Sequence, residues 1–279
     1  MTTNNQQPTT NNQLNLIVPT YLAPLFLLVS FGSATPIFAE NPDHVRRLQE
    51  TKECATCDLS NANLSSTDLT QTNLSNADLT RANLTETNLS NANLRSADLI
   101  EAKLNQADLR ESDLSQAFLS GADLSNANLR QANFKGANLA QAILTGANMT
   151  QTILSLADLR EANLSQSILT LAELKGSDLR RANLSGSRLN GANLKAANLG
   201  NANLGGARLN GANLNGAYLR GADLSSAFLT NADLSEANLR DANLSGATLR
   251  DANLTGTVLC NTILPNNTVS NQDCDNQLN

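Results

Sequence analysis

Tryptophan is absent from this chain of 279 residues, tyrosine occurs twice and phenylalanine six times, so aromatic side chains make up only 3%. The mixed, ring-rich core of an ordinary enzyme domain cannot be assembled from that stock. Histidine occurs once, at His44, which excludes most His-dependent catalysis and any His-rich metal centre. Charge is scarce as well: charged residues are 16%, with 19 basic against 25 acidic, for a net charge of −6. That balance argues against direct nucleic-acid binding by phosphate neutralisation, and the low charged fraction does not fit a disordered acidic chain. No base recurs beside any serine, so no catalytic residue, cofactor or metal is expected. The repeated Asn-Leu-Ser and Asn-Leu-Thr triplets match a glycosylation acceptor only because the repeat generates them.

Leucine is what the chain has instead, 50 residues of it. Every fifth residue from Leu59 to Leu264 is Leu except Phe134 and Met149, giving 40 of 42 positions without an insertion. Two residues before each stands a small side chain, Ala in 31 cases and Cys, Ser or Thr in the rest. Asp or Asn usually separates the two, as in Ala62-Asn63-Leu64-Ser65 and Ala222-Asp223-Leu224-Ser225.

A five-residue period excludes both regular elements. On an α-helix, five residues advance about 140° and would spread the leucines around every face. On a flat strand, an odd spacing would point them up and down in turn. The pattern closes only if each unit is a short extended side ending in a turn, so that the small residue and the leucine both point inward. Successive coils then pair like parallel strands, with Asn, Asp, Ser and Thr at the turns and in outer polar ladders.

Units such as Ala122-Asp123-Leu124-Ser125-Asn126 resemble the pentapeptide-repeat consensus, and Thr51 to Leu59 (TKECATCDL) is similar to the segment that opens the repeats in many cyanobacterial members. The resemblance covers residues 54–266. It implies an all-β solenoid: a right-handed quadrilateral parallel β-helix, four units per coil. Forty-two units would then make about ten coils, a rod about 50 Å long at about 4.8 Å per coil. The family also supplies the expectation of a cyanobacterial protein of the periplasm or thylakoid lumen.

The flanks divide the chain further. Residues 1–13 are polar and low in complexity, and 14–39 are apolar, densest from Tyr21 to Phe31. An apolar centre of about eleven residues has signal-peptide length and falls short of the roughly twenty a bilayer needs, so 1–39 reads as a polar leader and export signal cleaved before Glu40. The absence of Lys or Arg before Arg46 keeps open an uncleaved membrane tether through 14–39. Asn41 and Pro42 look like an N-cap and first-turn proline, so 40–53 should hold a short capping helix with Val45 and Leu48 on one face. Pro265 cannot donate to a further coil, and 267–279 form a C-terminal tail.

Within that frame, Cys54 falls in the leucine register and Cys57 in the small-residue register, so both fit the first coil as filling, with a local disulfide or redox chemistry as alternatives. Cys260 holds an outward position, and export would allow a Cys260–Cys274 disulfide that pins the tail over the last coil. A period of twenty stacks Arg160 over Arg180 and Arg220 over Arg240, an anion-facing ladder unless Glu161, Asp178 and Asp241 neutralise it. Ile143, Ile153, Leu156, Ile168 and Leu171 break the polar exterior and form a candidate interface for a protein partner or self-association, with Ile153, Leu156 and Leu171 near one another. Charge is uneven: 58–123 carry ten acidic and four basic residues, 124–264 nine and twelve. The sequence thus points to an exported, non-enzymatic recognition rod. The alternatives are a cytosolic DNA-mimicking binder of topoisomerase (gyrase), as the family resemblance suggests for an acidic member, and a membrane-tethered scaffold.

Overall fold

The computed structural model describes residues 41–274. The leader, signal or anchor expected over 1–39 lies outside these residues, as does the end of the tail from 275.

Helix α1 spans Pro42–Thr51. Asn41 is itself extended, and its Oδ1 accepts from the amides of Asp43 and His44 at 3.2 and 3.3 Å, satisfying two of the donors a helix start leaves unpaired. Lys52 closes the helix in the left-handed region, its N–H donating to the Leu48 carbonyl. Leu48 is fully buried in the core and Val45 packs beside it, so α1 lays its apolar face over the first coil. Two anchors hold it there: the Asp58 amide donates to His44 Nδ1 at 3.0 Å, and Lys52 Nζ donates to the Asp68 carbonyl.

From Glu53 onward the chain lies over itself at intervals of twenty residues. Every isolated bridge is parallel and joins residue i to i+20, from Glu53↔Asn73 to Asn243↔Ile263. Four five-residue units therefore separate ladder partners, and four ladders run side by side. Each side contributes a single bridging residue, the one between the small residue and the leucine, because turns consume the rest. As far as Leu244, the amide of the residue in the leucine register donates to the carbonyl of the bridging residue one coil on, as in Leu144 to Asn163 at 2.7 Å. The amide of the bridging residue donates one coil back, as in Asn163 to Ala142 at 2.9 Å.

The corners explain the rest of the unit. The amide of the small residue donates to the preceding leucine carbonyl, as in Ala62 to Leu59 at 3.0 Å, and the residue between them and next to the alanine has a positive φ, 58° at Asn61. That is the type II turn pattern, for which glycine and asparagine are the low-strain residues. Asp or Asn at the bridging position accepts the amide two residues on, as Asp123 does from Ser125 at 2.9 Å, and amides also stack between coils, Asn183 Nδ2 donating to Asn163 Oδ1 at 3.2 Å. Leu156 and Leu171 occupy corners at φ 61° and 57°, where a bulky residue is strained. Leu171→Asn should therefore raise stability by about 1 kcal/mol, read as a higher urea midpoint; an unchanged or lower midpoint would show that the leucine is stabilised there by something else.

The interior is a stack of leucines and alanines, nearly all fully buried, with Phe134 and Met149 accommodated in the same register. Hydroxyls that replace alanine are satisfied: Ser112 donates to the Leu109 carbonyl at 2.6 Å, and Thr152 to the Leu129 carbonyl at 2.7 Å.

The two ends differ. At the C-terminal end Leu249, Leu254 and Leu259 are only partly buried. There β1 (Thr262–Ile263) turns through Asn266 and Asn267 and pairs antiparallel with β2 (Val269–Ser270), Ile263 opposite Val269. Pro265 still accepts from Gly246 at 3.0 Å, so pairing with the coil reaches this proline before the chain reverses. Among the described residues no helix is long and apolar enough to cross a membrane.

Candidate functional site

One row of outward positions carries the densest chemistry. Ser120, Ala140, Arg160, Arg180, Gly200, Arg220, Arg240 and Cys260 follow one another at intervals of twenty, hence at one corner of successive coils. Because Ser120, Ala140 and Gly200 are small, Arg160 and Arg180 stand in a groove of about 590 Å³ that also takes in Gln141, Glu161, Arg181 and Asn201.

Arg160 and Arg180 do not present free charge. Arg160 Nε lies 2.8 Å and Nη2 2.6 Å from the two carboxylate oxygens of Asp158, and Arg180 grips Asp178 in the same way, at 2.9 and 2.5 Å. Arg160 also lies 3.9 Å from Asp178, Arg181 pairs with Glu161 at 3.4 Å, and Gln141 donates to Glu161 at 3.1 Å. Further along the row Arg220 pairs with Asp241 at 3.2 Å. Arg240 donates to Cys260 Sγ and to the Cys274 carbonyl at 3.3 and 3.4 Å. The four guanidiniums thus stack in one row as the twenty-residue period predicts, and each is engaged by a carboxylate or, at Arg240, by the tail, so the row is neutralised and does not form a free anion-facing ladder. Asp178 and Asp241 take part as expected and Glu161 pairs with Arg181, but the first partner of Arg160 is Asp158. The signal is the triplet Asp-Leu-Arg at 108–110, 158–160 and 178–180: the inward leucine leaves its neighbours side by side, and all three pairs are formed.

The hydrogen bond from Arg160 holds the Asp158 carboxyl below the ordinary aspartate value of 3.8, and that from Arg180 does the same for Asp178. A depressed folded-state value means that both groups stabilise the fold above pH 3.8 and lose that contribution as pH falls through the folded-state value. Thermal melts should therefore be flat above about pH 5 and fall steadily toward about pH 2, and Asp158→Asn with Asp178→Asn should flatten that acid limb. An equally steep limb in the double variant would assign it to other carboxylates.

The apolar positions separate. Ile143 pairs with Asp123 and Asn163, Ile153 with Asn133 and Glu173, and Ile168 with Asn148 and Arg188, so the three lie on three different ladders. Ile153, Leu156 and Leu171 belong to one side, the leucines at its two corners, and all three are exposed, whereas Ile168 is half-buried. The five residues therefore do not lie on one face of the coil.

All four cysteines are bonded. Cys54 and Cys57 form a disulfide and are buried in the first coil, so the reading of two thiols acting only as filling is corrected. Cys260 is bonded to Cys274, and despite its outward position it is buried, covered by the returning tail. Sequence reasoning also passed over Phe118 and Tyr218, exposed to 47% and 57%. Their spacing, five times twenty, places them on one ladder, at the two ends of the side that flanks the arginine groove. Among the described residues no group of His, Cys, Asp and Glu is placed to hold a metal ion.

A chain that pairs with itself every twenty residues, with leucine inside and variable polar rows outside, defines a repeat protein whose individuality lies on its surface. The pentapeptide-repeat profile matches in eight copies between residues 57 and 266, and the chain belongs to that family. Among solved structures it is similar to HetL, a pentapeptide repeat protein involved in heterocyst differentiation regulation from the cyanobacterium Nostoc sp. strain PCC 7120, with 36% identity over 83% of this chain and 100% of HetL and a TM-score of 0.43. It is also similar to alr5209, a pentapeptide repeat protein from Nostoc PCC 7120 (38% identity, 35% of this chain, 78% of that one, TM-score 0.24). The plasmid-mediated fluoroquinolone resistance protein QnrB1 matches at 20% identity over 69% of this chain and 89% of its own, with a TM-score of 0.47. No curated protein matches the chain.

Proposed function

We propose that this chain is an exported, non-enzymatic recognition rod, a right-handed quadrilateral β-helix that acts through its surface on a partner in the periplasm or thylakoid lumen. The observation that carries the reading is the pairing of every cysteine: Cys54–Cys57 at the start of the repeats and Cys260–Cys274 at their end. Such bonds form and persist outside the reducing cytosol. The repeat supports the non-enzymatic part, because its recurrent polar residues pair locally with their own turns and coils. The experiment is a non-reducing intact mass of the protein from its native cell fraction. A chain beginning near Glu40 and lighter by four hydrogens than its reduced form is the expected result. A full-length cytosolic chain with free thiols would overturn it, and a full-length chain in the membrane would favour the tethered scaffold.

One observation favours the gyrase-binding DNA mimic as a second reading. Asp58, Asp78 and Asp98 are successive partners on one ladder, a file of carboxylates about 4.8 Å apart. Inhibition of gyrase supercoiling that is lost on replacing the three with Asn would support it.

A further inference from the structure

The arginine groove is electrically closed. Three cations, Arg160, Arg180 and Arg181, face three carboxylates, Asp158, Asp178 and Glu161, and each is paired within the protein. A free anion or cation would have to break a pair to gain one. A neutral ligand rich in hydroxyl groups would not, since a carboxylate oxygen and a guanidinium already held in place still offer lone pairs and N–H groups to an alcohol.

The groove also has a direction. Its lining runs from Ser120 to Asn201, along four coil steps. Phe118 is the ladder partner of lining residue Asn138, and Tyr218 is the partner of Asn198, whose side chain accepts from the amide of lining residue Gly200. Two exposed rings thus bracket the polar stretch on one ladder, five coil steps or about 24 Å apart. One flank of Tyr218 is open: at corner Gly216 nothing lies within 4 Å of where a side chain would begin, whereas the Asn201 amide fills the space at the other corner, Gly221.

We infer that this side binds a neutral, extended oligosaccharide of five or six sugar rings, its ends stacked on Phe118 and Tyr218 and its hydroxyls hydrogen-bonded to the fixed Asp-Arg pairs between them. Sugar rings carry an apolar face of C–H groups that packs on aromatic rings, and a 1,4-linked glycan in extended form advances by close to one coil per ring. The inference rests on the groove and not on the compartment, so it can fail or stand independently of export.

The test is calorimetric titration of the purified chain with cellohexaose and chitohexaose, with hexagalacturonate as the anionic contrast. At least one neutral hexasaccharide should bind, its trisaccharide more weakly because it cannot reach both rings, and hexagalacturonate not at all. Tyr218→Ala and Phe118→Ala should each weaken binding by about tenfold, while Phe228→Ala, an exposed ring on another ladder, should leave it unchanged. Absence of heat with both neutral hexasaccharides, binding of hexagalacturonate alone, or equal losses in all three variants would overturn the inference. Tyr218 and Phe118 are exposed, so their replacement leaves the coil intact, and an unchanged melt of each variant checks this.

Discussion

Leu144→Ala should cost about 3 kcal/mol, and Leu144→Asp should break the stack outright. Leu144 is fully buried, with Leu124 and Leu164 above and below it in the same column, and its amide donates to the Asn163 carbonyl at 2.7 Å. Alanine leaves a cavity that rigid neighbouring coils cannot fill, and aspartate adds an unpaired carboxylate with no access to water. Each coil touches only the coils on either side, so the damage should be local before it is global. Hydrogen exchange in Leu144→Asp should accelerate first around residues 124–164, with the coils near Leu84 and Leu204 still protected. A uniform loss across the chain would show one cooperative unit, and an unchanged urea midpoint for Leu144→Ala would contradict the packing argument.

Breaking the Cys260–Cys274 bond should have the next largest effect. Cross-linking residues 14 apart is worth about 3 kcal/mol on chain-entropy grounds. The end it closes is also the weaker one, where Leu249, Leu254 and Leu259 are only partly buried. In Cys274→Ser the hairpin of β1 and β2 should fray, Arg240 should lose its contact with the Cys274 carbonyl, and protease should cut within 265–274. The expected readout is a lower melting temperature with exchange confined to the last coil. The Cys54–Cys57 bond spans a separation of only three residues and lies under α1, so its loss should matter less. Equal effects at the two ends would assign the stabilisation to burial of sulfur instead of closure of the tail.

The interior of this protein is legible in its sequence because two positions in five, the small residue and the leucine, do the packing. A leucine that must point inward leaves no choice of register, and Leu59 to Leu244 are buried accordingly. The number four was not legible, since a five-residue unit closes a turn without saying how many turns make a coil; the pairing of residue i with i+20 supplies it. What the register leaves open lies where partners fall outside the unit. Cys260 stands at an outward position, and the Cys274 bond that draws the tail over it buries it. The candidate neutralising partners Glu161, Asp178 and Asp241 leave out the first partner of Arg160, Asp158, which is two residues back across a leucine. Ile143, Ile153 and Ile168 all break the polar exterior, yet their ladders show that they lie on three different sides. Gly216 leaves no pattern in hydrophobicity, so the open corner beside Tyr218 emerges only in three dimensions.

The twenty-residue spacing also restricts how such a chain can change length. An in-frame duplication of one five-residue unit keeps every leucine inside and every turn intact, so it should fold. Yet it rotates everything downstream by one side. Inserted between residues 160 and 218, it would carry Tyr218 off the line of Phe118 and split the row of Arg160 and Arg240 between two faces, with the hydrophobic interior unaltered. Only insertions or deletions in multiples of four units preserve a surface that runs along the length of the molecule. Family members that share a recognition face should therefore differ in length by whole coils, while drift by single units marks faces on which nothing depends.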